Sequence, residues 1–412
     1  MTGKSIQYEI LRNKEFKLFI ATRFFLTVAL QIQSVIVGWQ IFKLMQDPLS
    51  LGLIGLAEAI PALSIALYAG HKADTSSKRK ILLGSILVMF LCSFGLLLCT
   101  LDDFIIGLGS TISVRCMYFF IFISGFARGF YAPTGFSFLS QLVKREQLTF
   151  ASTWNSSSWQ IAAIAGPAIG GLLYAWGGIT FAFYFVLGFT SLAFISMVNI
   201  KPKPIVQLLN TDPIMVRLRE GIAFVFHNKV MLSAISLDLF AVLFGGAVAL
   251  LPVFADQILQ VGPQGLGLLR AAPSLGASLT MIWLSFNRHP HKPGITLMYC
   301  VGAFGLCMIG FGLSTSFYLS LFLLFASGAF DSVSVVIRAN ILQLQTPDHM
   351  RGRVSAVNTM FIGSSNEIGA FESGLAAKVL GLVPSVVFGG CMTLGVVMTT
   401  WWKGKSLKSF TY

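Results

Sequence analysis

Nine charged residues of this 412-residue chain sit inside long apolar runs: Arg23, Glu58, Arg128, Asp238, Arg270, Asp331, Arg338, Glu367 and Glu372. A charge at mid-bilayer costs roughly 2.5 to 3.5 kcal/mol on insertion scales, so such groups face a cavity or one another. The stretch GSSNEIGAFESG, residues 363–374, sharpens the point, since two glutamates and an asparagine interrupt an otherwise apolar segment. Two kinds of chemistry fit these residues. A carboxylic acid that gains and loses a proton inside the membrane is what proton coupling needs. An arginine with a carboxylate either staples two helices or changes partners between two conformations.

The polar groups lie at helical spacing. Ser124, Arg128, Tyr131 and Gly135 share one face of a helix, opposite Phe119, Phe122, Phe126 and Phe130, which suit lipid. Ser327, Asp331, Ser334 and Arg338 form a second polar stripe, and Thr27, Gln31, Ser34 and Gly38 a third. Small polar faces of this kind suit the wall of a cavity. Gln31, Ser34, Arg128, Tyr131, Asp331, Ser334 and Arg338 are therefore the candidate substrate-binding residues.

The elements that must carry these faces are membrane spans. The chain is 55% hydrophobic and only 11% charged, where soluble domains run near 25% charged. Apolar runs long enough to cross about 30 Å of hydrocarbon recur along the whole length. Twelve spans fit, at about 17–44, 51–70, 80–100, 117–142, 147–175, 178–199, 230–257, 264–286, 294–314, 316–345, 353–377 and 382–402. The polar N-terminus and the absence of a cleavage site after the first run argue against a removable signal peptide.

The formal charge of +13 reads as topology rather than nucleic-acid binding. Most of the lysines and arginines fall in alternate loops: the N-terminal tail, 72–80, Lys144 and Arg145, 201–229, Arg288 and Lys292, Arg351 and Arg353, and the C-terminal tail. The intervening loops hold only Lys43, Arg115 and Lys378. That positive-inside pattern places both termini in the cytoplasm. The six cysteines lack CxxC spacing and act as small apolar residues. All five histidines fall in predicted cytoplasmic loops. No metal-ligand cluster or nucleotide-binding motif stands out, which argues against a metal carrier, an ATP-driven pump or any cofactor.

The charged, proline-containing stretch 200–229 separates an N-terminal six-span half (1–199) from a C-terminal one (230–412). The halves repeat each other. RNKEF (12–16) and HNKVM (227–231) stand 215 residues apart, as do PLSLGL (48–53) and PQGLGL (263–268). Further along the offset is 203, relating Ser124 to Ser327, Asn155 to Asn358, Gly166 to Gly369 and Gly171 to Gly374. Parallel six-helix repeats imply a transporter with its binding site near mid-depth.

Between spans 2 and 3, GHKADTSSKRK (70–80) resembles the inner-loop signature of the major facilitator superfamily. Gly70, Asp74, Lys78 and Arg79 match it, whereas Thr75 and Ser77 depart from it. By that resemblance Asp74 and Arg79 latch the inner gate against span 11, entered through PDHMRGRV (347–354). AGPAIGG (165–171) resembles the core of the span-5 antiporter motif, with Gly166 and Pro167 giving a kink and close packing. The upstream glycines of that motif are replaced by Thr153 and Ala162, and a plain packing face is the alternative. The chain as a whole resembles the superfamily branch that contains siderophore exporters, through ATRFF (21–25), WQIFKLMQDPLSLGLIG (39–55), LVKREQLTFAS (142–152) and AGPAIGGLL (165–173).

The resemblance implies an all-α fold of twelve helices in two pseudo-symmetric halves, with spans 1, 4, 7 and 10 lining the cavity and span 11 beside span 2. Glu58, Glu367 and Glu372 are then the candidates for proton coupling, with stapling of the halves as the alternative. Arg23 and Asp238, repeat equivalents, are candidates for an inner-gate pair, with snorkelling as the alternative for Arg23. The expected activity is proton-coupled export of a small organic molecule by alternating access, in a monomer embedded in lipid. A siderophore-like anion is favoured because Arg128 and Arg338 fall on the cavity faces. The rivals are a multidrug exporter for apolar or cationic compounds, a non-transporting membrane sensor or partner subunit, and an importer. No enzyme activity is expected.

Overall fold

A computed structural model of the chain describes Ile10 and residues 12–204, 214–286, 292–347 and 350–410. Among these residues the chain is helical, with no strand. The long helices are α1 (Lys14–Met45), α2 (Pro48–Thr75), α3 (Lys78–Cys99), α4 (Ser110–Leu142) and α5 (Leu148–Val198). After these come α6 (Ile214–His227), α7 (Lys229–Gly245), α8 (Gly262–Phe286), α9 (Pro293–Leu313), α10 (Phe317–Gln345), α11 (Arg351–Leu380) and α12 (Leu382–Lys403).

Nine helical segments among the described residues are long and apolar enough to span a membrane. The longest of them, running through α5, contains two expected spans that meet at Gly178, whose φ of 74° departs from the helix. α8 and α11 have span length too, but they carry Arg270 and the glutamates Glu367 and Glu372.

The contacts group the chain into two compact units. The first comprises Met1–Met45 and Ala57–Thr211, the second Gln46–Leu56 and Asp212–Tyr412. The first turns of α2 thus cluster with the second unit and the remainder of that helix with the first. α6, drawn from the stretch between the halves, belongs to the second unit, where Glu220 pairs with Arg353 of α11.

Each unit begins with the same device. Asn13 caps α1, its side-chain oxygen accepting from the Glu15 and Phe16 amides at 3.0 and 3.2 Å. Its amide nitrogen donates to the Leu142 carbonyl at the end of α4 at 2.8 Å. Asn228 caps α7 by accepting from Val230 and Met231, both at 3.1 Å, and donates to Gln345 at the end of α10. The matching RNK and HNK segments are therefore helix caps that also tie α1 to α4 and α7 to α10.

Glycines set how closely the helices approach. On α5, Gly166 leaves no room for a Cβ beside Gln31 of α1, and Gly170 lies against the Ile32 backbone. Gly369 of α11 repeats this against Leu243 of α7. Gly125 of α4 packs on Glu58 and Pro61 of α2, and Gly328 of α10 on the Pro273 backbone of α8. In lipid, where apolar burial drives little association between helices, backbone proximity of this kind is a main source of packing energy.

One helix breaks. α7 ends at Gly245, and Gly246 (φ −75°, ψ 53°) leads into a 3-10 turn over Ala247–Leu250 and a π-turn over Phe254–Ile258. The Ser373 hydroxyl of α11 donates to the Gly246 carbonyl at 3.2 Å. A freed backbone carbonyl at membrane depth needs such a donor.

Candidate functional site

In the first unit, Gly125 lets α4 come up to α2 at Glu58, and Arg128, one turn later on α4, forms an ion pair with the Glu58 carboxylate. Both side chains are partly exposed. At Arg23 of α1 a second arrangement appears. Its guanidinium lies 5.9 Å from the centroid of the Tyr131 ring, and a Cβ at Gly135 would stand 3.2 Å from its Nη1. The Arg23 Nε and the Tyr131 hydroxyl are both sealed from solvent without a hydrogen-bond partner among the described residues.

In the second unit, Asp238 of α7 and Arg338 of α10 form an ion pair, with side-chain exposures of 8% and 4%. Ser334, one turn before Arg338, has a buried hydroxyl with no partner among the described residues. Asp331, a further turn away, is half-buried, and no ion pair or hydrogen bond engages it among the described residues. Arg270 and Glu367 are both engaged by other groups. The Glu367 carboxylate lies against Gly55, in the part of α2 that belongs to this unit. Glu372, half-buried on the same helix, has no ion pair or hydrogen bond among the described residues, although its neighbour Ser373 holds the α7 break.

The expected sites are thus sorted by partner. Glu58 is paired with Arg128. Asp238 pairs with Arg338 inside its own unit. Arg128 and Arg338, the cations that pointed to an anionic substrate, are both occupied by carboxylates. A desolvated guanidinium gains most from a bidentate or hydrogen-bonded carboxylate, and each of these has found one.

Gln31 sits where α1 meets Gly166, and Pro167 is buried in the same face, so this stretch of α5 packs against α1. Ser34, three residues on, is exposed. Arg79 donates from Nη2 to the Val198 carbonyl at 2.7 Å, capping the end of α5. The side chains of Asp74 and Arg351 lie outside the described residues, as do His289, His291, His349 and the His71 side chain. His227 is exposed. All six cysteines are free, and no three metal-ligating side chains come together among the described residues.

Several functional contacts have little signal in the sequence. Ser93 donates to Gln33 at 2.6 Å and Tyr174 to Gln40 at 2.9 Å, two buried bonds that hold α1 to α3 and α5. Lys378 donates to Asp47 at 2.8 Å, tying the end of α11 to the cap of α2. An apolar run reveals a buried glutamine, but its partner lies on another helix at no fixed spacing.

A family profile described as "transmembrane secretion effector" matches residues 6–407. The Enterobactin exporter EntS of Shigella boydii serotype 4 is 25% identical over 394 residues, covering 93% of this chain and 90% of that protein. EntS of Shigella flexneri is 26% identical over 290 residues, 68% of this chain and 67% of its own. Among solved structures, a bacterial homologue of the iron transporter ferroportin in an inward-facing state has a TM-score of 0.75. It is 14% identical, with 97% of this chain and 100% of that one covered. The xylose transporter XylE from E. coli, inward open, has a TM-score of 0.70 at 13% identity, with 95% and 97% covered. These last two likenesses show the fold, that of the major facilitator superfamily.

With the matched family and these relatives, the chain is a transporter of small molecules and not an enzyme. It is a multi-pass membrane protein, and it belongs to the transmembrane secretion effector family of the major facilitator superfamily.

Proposed function

We propose that the chain exports a siderophore-like organic solute across the bacterial cytoplasmic membrane in exchange for protons. It acts as a monomer with both termini in the cytoplasm and works by alternating access. The observation that carries this reading is the likeness to an enterobactin exporter along 93% of the chain. The polar faces of α1, α4 and α10 supply the substrate contacts, with Tyr131, Asp331 and Ser334 foremost because each bears a polar group that no described residue satisfies.

Proton coupling falls to Glu372. Of the three glutamates considered, Glu58 is tied to Arg128 and Glu367 is engaged elsewhere. A carboxyl group outside any ion pair can change protonation without first breaking one. Ser373, the next residue, would pass the change to the α7 break at Gly246. Asp74 and Arg79 serve the inner gate, with Arg23 and Asp238 at comparable positions along α1 and α7.

Inside-out vesicles holding the chain test the reading. With an acid interior, enterobactin should accumulate above the level of empty vesicles, and a protonophore should abolish the difference. Equal accumulation in empty vesicles overturns it. A second reading, export of lipophilic cations, is favoured by the pairing of Arg128 and Arg338 and by the unpartnered Asp331. Accumulation of tetraphenylphosphonium in place of enterobactin would select it.

A further inference from the structure

We infer that Arg23, Tyr131 and Gly135 form an oxyanion subsite within the first unit, built to take a carboxylate or phenolate. The repeat supplies the template. Arg23 is the equivalent of Asp238 under the 215-residue offset, and Gly135 of Arg338 under the 203-residue offset. In the second unit this pair of positions holds an acid on α7 and a guanidinium on α10, joined and buried. In the first unit the guanidinium comes from α1 instead, and it reaches over α4 at Gly135, where the missing side chain leaves it room. The carboxylate of the arrangement is what the first unit lacks: Arg23 makes no ion pair among the described residues.

What surrounds Arg23 fits a ligand oxygen better than solvent. Its Nε is closed off from water and makes no hydrogen bond among the described residues. The Tyr131 ring lies 5.9 Å from the guanidinium carbon, and the buried Tyr131 hydroxyl, at the repeat position of Ser334, also lacks a partner. A cation over an aromatic face with unused N–H groups, next to an unused hydroxyl, supplies charge, donors and a flat surface together. Buried polar groups left unpaired are costly, and a bound oxyanion satisfies several at once. The inference rests on the transport reading above and names the chemistry of its substrate: an aromatic or aliphatic acid rather than a lipophilic cation.

Two sources carry such an oxyanion, a dissolved acid and the headgroup of an anionic lipid. The full chain in phosphatidylcholine nanodiscs, with and without phosphatidylglycerol, separates them. The probes are salicylate, its neutral analogue salicylamide, and tetraphenylphosphonium. The expected result is that wild type binds salicylate in phosphatidylcholine, that salicylamide binds about tenfold more weakly or not at all, and that Arg23→Gln reduces salicylate binding by about tenfold or more. Arg23→Lys should recover part of the loss. Gly135→Ala, which leaves the charge in place and displaces the guanidinium, should weaken binding by about threefold. If phosphatidylglycerol competes with salicylate in wild type and not in Arg23→Gln, headgroups reach the same subsite.

Equal salicylate binding by wild type, Arg23→Gln and Gly135→Ala would overturn the subsite, even where enterobactin accumulation holds. So would binding of tetraphenylphosphonium alone. A phosphatidylglycerol effect lost in Arg23→Gln with salicylate binding unchanged would assign the residue to lipid and remove it from solute recognition. Arg115→Gln, which removes an exposed arginine of α4 outside the subsite, is the control for the loss of a cation in the same unit and should leave salicylate binding as in wild type.

Discussion

The two units are built on one repeat and resolve their buried charge in opposite ways. Asn13 and Asn228 cap their helices and tether them with almost the same bonds, so the scaffolds agree. At the next functional level they part. The second unit closes Asp238 on Arg338, both nearly inaccessible, and leaves Asp331 and Glu372 without ion pairs or hydrogen bonds among the described residues. The first closes Arg128 on Glu58, both partly exposed, and leaves Arg23 over an aromatic ring. A repeat can thus keep its packing while its polar positions diverge, and the groups left over have opposite sign: a cation in one unit, carboxylates in the other.

The largest expected effect tests the buried pair. Arg338→Leu leaves Asp238 in an apolar setting with no counter-ion and should destabilise the protein by about 3–5 kcal/mol. The double variant Asp238→Leu/Arg338→Leu should recover most of that loss. Arg23→Leu, which removes a cation–π contact but no ion pair, should cost about 1 kcal/mol or less. Thermal midpoints of the purified variants in one detergent give the ranking. Equal losses for Arg338→Leu and Arg23→Leu would break the contrast between the units.

Next in size is a pair of glycines related by the 203-residue offset. Gly328 faces the backbone of Pro273, which cannot move aside, so Gly328→Ala should cost about 1–3 kcal/mol by overpacking. Gly125 meets a proline ring carbon as well as the Glu58 carbonyl, and part of that contact can yield. Gly125→Ala should therefore cost less. A larger loss at Gly125 would mean that α2, not α8, is the more rigid neighbour.

The smallest effect is a predicted equality. Asn13→Ala and Asn228→Ala each remove a helix cap and one tether, at about 1 kcal/mol. Hydrogen exchange at the first turns of α1 and α7 should rise to the same degree in the two variants. A marked difference would show that the caps, like the charges, have diverged.

Much of this architecture was legible in the sequence. The apolar runs and the alternation of basic loops mark the spans, and the RNK and HNK match marks the caps, since an asparagine before an apolar run is a helix start. Helical spacing also put Asp331, Ser334 and Arg338 on one face, and Arg128, Tyr131 and Gly135 on another. Spacing fixes a residue's face and depth but not which neighbouring helix it meets. Asp238 and Arg338 lie a hundred residues apart, with nothing local to join them. The same limit hid Glu58–Arg128, which depends on how closely Gly125 lets α4 approach α2. The break at Gly246 was hidden for a related reason: a Gly-Gly pair permits it, but the Ser373 hydroxyl that stabilises it comes from α11.

Proton release measured in weakly buffered detergent solution, on adding enterobactin to wild type and to Glu372→Gln, tests the coupling claim most directly. The account predicts that wild type releases protons on binding, and that Glu372→Gln binds enterobactin but releases few or none. Release unchanged in Glu372→Gln, with binding retained, would contradict it and move the coupling acid to Asp331.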